Sequence, residues 1–298
     1  MSTPLWAALP PVSVTAPAKV NLFLHITGRR ADGYHELESL FVFTHGGDRV
    51  TVSASPDLTF SLGGPFAGAL EALGGAGEGN LVMQAAQLLA AHAGIEPKVA
   101  ITLEKNLPVA AGIGGGSSDA AAALLALNAF WKLKLPMDVL EQIGLQLGAD
   151  VPACLHQVPL MVRGIGEELT PVSLGWQSGI VMLNPMEPLS TPSVFKAYHD
   201  AGMAFDAPLV DAGALCSDVR ALTAKTRNAL QGAARAICPA VADVLDVLAQ
   251  QQGVMLACMS GSGATCFALF GSAGEAAEAA EKIREAHKNW WVMADQIG

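Results

Sequence analysis

The chain has 298 residues and a formal net charge of −10, with only 15% of its residues charged and a positive mean hydropathy. Its length allows one large domain or two ordinary ones, and its apolar composition excludes a disordered chain. The acidic balance argues against a general nucleic-acid binder, which would need a basic face.

Residues 5–11 read as a poorly ordered leader, and the positive charge of a secretory signal is missing from this end. Residues 12–15 and 20–26 read as strands. In the second of these, Val20, Leu22 and Leu24 share one face, and Lys19, Asn21 and Phe23 the other. Residues 49–54, 59–62 and 99–103 are further strand candidates. Residues 74–79 form a glycine-rich loop, after which Asn80 is placed to cap a helix reaching Ala93. A helix from about Ser117 to Leu133 follows, then one from Met137 to Leu147 stopped by Gly148. A second half opens near Pro159, with strands at 160–163 and 180–183 and the loop 164–169 after the first. Helices are expected at 191–198, 241–251 and 273–287, and strands at 254–259, 265–270 and 291–294. Strand–strand–helix–strand order within a half indicates an α+β fold. The longest apolar stretch, residues 120–131, is too short to span a bilayer. The five cysteines include no CxxC pair and read as reduced, buried thiols, which suits the cytoplasm.

One segment is chemically distinctive: Pro108, Val109, Ala110, Ala111, Gly112, Ile113, Gly114, Gly115, Gly116, Ser117, Ser118 and Asp119, followed by an alanine-rich run. A glycine loop feeding a helix start leaves backbone N–H groups converging on one spot, beside the positive end of the helix dipole. Such a spot binds phosphate. A Walker loop would need Lys where Ser117 stands, and the dinucleotide fingerprint would need Gly there. The hydrolase elbow GxSxG fails at Asp119. A flexible turn capped by Ser117 remains the plain alternative. Asp119 opposes a phosphate, so its side chain is expected to point away or to face the metal that accompanies the nucleotide.

Ala16-Pro-Ala-Lys19-Val-Asn21, the loop just described and Ser260-Gly-Ser-Gly-Ala264 occur in the order found in the GHMP superfamily of small-molecule kinases. The chain resembles that superfamily further in Asp32-Gly-Tyr34-His35, Leu147-Gly-Ala-Asp150-Val-Pro152 and Gly164-Ile-Gly166-Glu. The resemblance implies a two-domain GHMP kinase fold, with a ribosomal-protein-S5-like ATP-binding domain over 1–160 and a ferredoxin-like domain over 161–298. It places the active site in the cleft between them. It also implies transfer of the γ-phosphate of ATP, with Mg2+, to the 2-hydroxyl of 4-diphosphocytidyl-2-C-methyl-D-erythritol, a step toward isoprenoids outside the mevalonate route. A homoserine or mevalonate type of kinase, or a nucleotide sensor without catalysis, is the alternative. The expected assembly is a monomer or homodimer without nucleic-acid or membrane partners.

By the same resemblance, Asp150 is the base that takes the hydroxyl proton; by residue type alone it would serve as a helix cap. Lys19 is its electrostatic partner, or otherwise a solvated lysine at a strand start. Residues 108–118 bind ATP, with the amides of Gly112 to Ser118 on its phosphates and Ser117 or Ser118 near the metal. Asn80 and Lys105 line the adenosine side, or else are a cap and a strand-end charge. Asn21, Tyr34, His35, Phe41, Thr191 and Phe195 fall at substrate positions, with the aromatics stacking on cytosine; core packing is the alternative for both phenylalanines. His25, His35 and His45 recur at even spacing, but no HExxH or helical i,i+4 pair makes them a metal site. Where relatives usually read Arg-Asn-Asp-Leu-Glu, this chain has Arg227-Asn-Ala-Leu-Gln231, and that segment is expected at the surface of the second domain.

Overall fold

A computed structural model describes residues 10–77, 79–209 and 212–298. Most of the expected leader lies outside them, and Pro10 and Pro11 are exposed. The chain divides into two compact units. The first takes residues up to 18, 46–109 and 114–157; the second takes 19–45, 110–113 and 158–298. Two long strands, β1 (Val12–Arg29) and β2 (His35–Ala54), contribute to both.

In the first unit, β2 pairs antiparallel with β4 (Val99–Glu104), and β3 (Thr59–Gly63) pairs parallel with β4. The separate strands expected at 12–15 and 20–26 are one continuous strand, which runs through Pro17. It continues because Gly47 on β2 offers no side chain: a Cβ there would collide with the Ala16 carbonyl and Pro17 Cα. After β3 come α1 (Ala67–Ala72) and α2 (Leu81–Ala93). Asn80 caps α2 by accepting from the Val82 N–H at 2.8 Å, and Gly94 ends it in the left-handed conformation. Next are α3 (Gly115–Phe130), α4 (Met137–Leu147) and α5 (Val151–His156). Helix α3 begins two residues before the expected Ser117, since Gly114 at φ 65° turns the chain directly into it. Its residues 118–124 are all buried, so the alanine-rich run is apolar all round because it packs on α2, α4 and α5.

In the second unit, β2 pairs antiparallel with β5 (Leu160–Gly164), and β5 with β6 (Glu168–Pro171), a strand where the sequence suggested only loop. Then follow β7 (Ser178–Asn184), α6 (Thr191–Asp200), α7 (Ala212–Ser217), α8 (Val219–Lys225), α9 (Gln231–Ile237) and α10 (Ala240–Ala249). The chain closes with β8 (Leu256–Met259), β9 (Cys266–Phe270), α11 (Ala273–Ala286) and β10 (Trp291–Ile297). These last strands form an antiparallel sheet in the order β10-β7-β9-β8, the ferredoxin-like arrangement. Its helices cover an apolar core that includes Val181, Leu183, Leu245, Phe270 and Ile283. All five cysteines are buried free thiols. Among the described residues no helix is long and apolar enough to cross a membrane.

Candidate active site

The first unit carries the helix end of the glycine loop. The first N–H groups of a helix have no acceptor within it, so the start of α3 presents donors where Gly116 is exposed and Ser117 half-buried. Ser118 is turned inward: its hydroxyl meets the Cys154 thiol on α5 at 3.4 Å, so of the two serines only Ser117 keeps a hydroxyl near the surface. Asn80 is buried and spent on its helix, since its amide N–H also donates to the Gly75 carbonyl at 2.6 Å. Lys105 is not a solvated strand-end charge. It is 2% exposed, bonded to the Asp48 carboxylate and at 2.7 Å from that of Asp119. Asp119 therefore points inward onto a lysine. Burial, opposed by Lys105 and reinforced by Asp48, raises its carboxyl to about 8. The same pair of carboxylates raises Lys105 against the effect of its burial.

Asp150 is the residue before α5, but its side chain makes no capping bond and Pro152 sits in the first turn. The cap reading is thus not what this structure displays. As a residue, Asp150 is half-buried.

The second unit gathers the remaining motifs. Lys19 and Asn21 lie on a stretch of β1 buried on both faces, so Lys19 is not the solvated strand-start lysine of the plain alternative. The Lys19 ammonium sits 3.9 Å from the Phe41 ring centroid and 3.4 Å from the Asn21 amide oxygen. Phe41, expected as either core or substrate contact, is a buried ring carrying that cation. Asn21 donates to the Ser39 hydroxyl at 2.9 Å, and Ser39 in turn donates to the Phe23 carbonyl at 2.5 Å. The loop residues 111–113 are tied down by their carbonyls: Ala111 accepts from Thr265 N–H, Gly112 from the Ser260 hydroxyl and Ile113 from Lys19 N–H. Gly112 at φ 74° must be glycine, because a Cβ would strike the Gly263 carbonyl.

Ser260 also accepts from the Asn21 N–H at 3.1 Å, so one hydroxyl joins the strand bearing Lys19 to the glycine loop. Its own loop is held by Asn228, whose amide donates to the Met259 and Gly261 carbonyls at 2.7 Å each. Gln231 accepts from Met259 N–H at 3.0 Å. The middle of the Arg227–Gln231 segment is therefore interior scaffolding and not the expected surface, since Asn228, Ala229 and Leu230 are all buried while Arg227 stays exposed. Sequence reasoning passed over Ser39 and Asn228; the unusual spelling of that segment was the available signal for the second.

The aromatic positions separate. His35 and Phe195 face each other with centroids 5.0 Å apart, and Tyr198 presents an edge to His35 at 6.2 Å. Burial, then the nearby Arg29 and His199 charges, lower His35 below its ordinary value of 6.5, which keeps the imidazole neutral near pH 7. Tyr34 stands on the turn before β2, held by its N–H on Asp32, and is 63% exposed. Thr191 opens α6 with its hydroxyl 2.7 Å from that of Ser262. His25 and His45 are not part of this group: His25 is buried against Phe23 and accepts from Arg227 N–H, and His45 is exposed.

A ferredoxin-like sheet, an S5-like unit and a glycine loop opening onto a helix define a GHMP kinase. Family profiles described as the GHMP kinases N terminal domain and the GHMP kinases C terminal match residues 80–157 and 212–289. The protein from Chelativorans sp. (strain BNC1) named 4-diphosphocytidyl-2-C-methyl-D-erythritol kinase is 48% identical over 94% of both chains. A crystal structure of 4-(cytidine 5'-diphospho)-2C-methyl-D-erythritol kinase superposes with a TM-score of 0.80 at 35% identity, covering 96% of this chain and 99% of that one. Homoserine kinase from Cytophaga hutchinsonii shares the fold alone, with a TM-score of 0.73 at 18% identity over 99% of this chain and 97% of its own. The chain belongs to the 4-diphosphocytidyl-2-C-methyl-D-erythritol kinase family of phosphotransferases, which use ATP.

Proposed function

We propose that this protein transfers the γ-phosphate of ATP to the 2-hydroxyl of 4-diphosphocytidyl-2-C-methyl-D-erythritol, in the non-mevalonate supply of isoprenoid precursors. The observation that carries the substrate is the His35–Phe195 pair within a chain alike to its relatives over nearly their whole length. A neutral imidazole can both donate to and accept from a cytosine edge, and an aromatic face can stack on the base.

The acceptor is a hindered tertiary hydroxyl, so positioning and charge stabilisation must supply most of the acceleration. Asp150 accepts the hydroxyl proton as the new P–O bond forms and ADP leaves. Lys19 offsets the charge on the phosphoryl group in flight, its ammonium steered by Phe41 and Asn21. The amides of Gly112 to Ser118 hold the phosphates. Mg2+ brought in with ATP would need few protein ligands and would supply charge neutralisation of the phosphates. Ser117 is the hydroxyl available to it, and among the described residues no cluster of His, Cys, Asp and Glu forms a separate metal site. In sequence terms we place the ATP-binding domain at 1–160 and the ferredoxin-like domain at 161–298, a boundary supported by the family profiles on either side of it. We place the protein in the cytoplasm, a reading supported by its free thiols.

The test is incubation with ATP, Mg2+ and the diphosphocytidyl substrate, following ADP release and the new phosphate by 31P NMR. Turnover only with homoserine or mevalonate would overturn the substrate, and no turnover with any of them would overturn catalysis. Replacing Phe195 with Ala is expected to raise the KM for the diphosphocytidyl substrate about tenfold, since a stacked base is worth roughly 1–3 kcal/mol. The KM for ATP should be unchanged; equal rises in both would mean that Phe195 only supports the fold.

A further inference from the structure

In the second unit Asn21 is held by the hydroxyls of Ser39 and Ser260, both completely buried, and each hydroxyl spends its proton on a backbone carbonyl. Ser260 donates to Gly112 and accepts the Asn21 backbone N–H, which fixes the strand. Ser39 donates to Phe23 and accepts from the Asn21 side chain. A carbonyl oxygen can only accept, so the single proton of Ser39 lies toward Phe23 and the hydroxyl offers Asn21 lone pairs alone. The Asn21 group turned to Ser39 must therefore be its NH2, at 2.9 Å, which leaves the amide oxygen facing the Lys19 ammonium at 3.4 Å. With the amide reversed, two acceptors would meet at Ser39 and two sets of donors at Lys19. Ser39 and Phe41 are two apart on β2 and share a face. That face thus supplies both holds on Lys19, the ring directly and the hydroxyl through Asn21. Stability alone does not call for this chain, because apolar groups of matching shape in place of both partners would be nearly neutral.

We propose that Ser39 is a positioning residue for phosphoryl transfer: it turns the Asn21 amide oxygen to the Lys19 ammonium and so keeps that charge where the transfer step needs it. This rests on the reading of Lys19 as the group that offsets charge on the phosphoryl in flight. Ser39 itself touches neither the ammonium nor a substrate; it acts through Asn21. Without its hydroxyl the amide loses the acceptor that sets its direction. An NH2 turned toward Lys19 then meets an ammonium that has only donors, and the ammonium gives up its seat. Charge stabilisation depends on groups fixed beforehand, so the loss falls on the chemical step and not on the binding of ATP.

The experiment measures kcat and the KM for ATP of Ser39→Ala, Asn21→Ala and the double variant of the whole protein, with a melting curve for each. Ser39→Ala should lower kcat by about tenfold, short of the roughly hundredfold that a full misplacement can cost, and leave the KM for ATP unchanged. On the Asn21→Ala background the same change should cost nothing more, because the chain is already cut. Ser39→Thr, which keeps the hydroxyl, should turn over like the wild type. A normal kcat in folded Ser39→Ala would overturn the proposal. So would a threonine variant as slow as the alanine one, or an equal loss with and without Asn21, the mark of a merely structural serine. Neutron diffraction of the deuterated wild type needs no variant to fold: deuterons of the Asn21 amide should point at Ser39, and deuterons pointing at Lys19 would overturn the proposal. A near-normal Lys19→Ala would bring down the reading of Lys19 and this proposal with it, whereas a slow Lys19→Ala beside a normal Ser39→Ala removes this proposal alone.

Discussion

Asp150→Asn is expected to lower kcat by at least about a hundredfold, the lower end of what a positioned acid or base contributes. The amide has the shape of the carboxylate but cannot take a proton at neutral pH. A structural role would show as lost stability instead. The side chain of Asp150 makes no capping hydrogen bond to α5, so the usual cost of about 1 kcal/mol for a lost N-cap does not arise. Turnover should collapse in a variant that still folds, which a melting curve checks. Lys19→Ala should lose a comparable factor, since it removes charge stabilisation from the transition state. Residues that act in one step are not additive, so the double variant should be little slower than the worse single one. Near-normal turnover in either folded variant would remove that residue from the mechanism, and strictly multiplicative losses would mean that the two act in separate steps.

Elements with local physical causes were legible in the sequence. Asn80 and Gly94 bracket α2, because a side-chain cap and a left-handed turn are chosen by the residue that forms them. The motif residues were legible too, since glycines at 112 and 114 are spelled by backbone angles that other residues avoid. What failed to show were features fixed by distant partners. The continuity of β1 through Pro17 depends on Gly47, thirty residues on. The alternation in 19–24 separates a face with Lys19 and Asn21 from an apolar one, but the burial of both is decided by Ser39, Phe41 and Ser260 arriving from elsewhere. Asp119 looked like an obstacle to phosphate because Lys105 and Asp48, far off in sequence, were not visible as its neighbours. The compact units leave and rejoin the chain several times, and only the last of these crossings, after Gln157, coincides with a change in composition near Pro159.

Gly115→Val should raise the KM for ATP by about tenfold or more while changing kcat far less. Gly115 is the first residue of α3, and its backbone is not in the left-handed region, so a side chain is conformationally allowed there. Space is the constraint. A Cβ would stand 3.1 Å from the Lys105 ammonium and 3.9 Å from the Asp48 carboxylate, and the branches of valine would either displace that ion pair or fill the approach to the helix start. Both outcomes weaken the hold on a polyphosphate that is bound in the ground state as well as in the transition state, which is why KM should move and kcat should not. Gly116→Ala supplies the contrast: its Cβ meets only Leu81 Cδ1 at 3.8 Å, an ordinary contact, so a smaller rise is expected. Gly112 would be a poor choice, because its φ of 74° and the Gly263 carbonyl would strain the fold and confuse the readout. Steady-state kinetics at varied ATP, with melting curves for both variants, decide the matter. An unchanged KM for ATP in a folded Gly115→Val protein would reduce the loop to a turn.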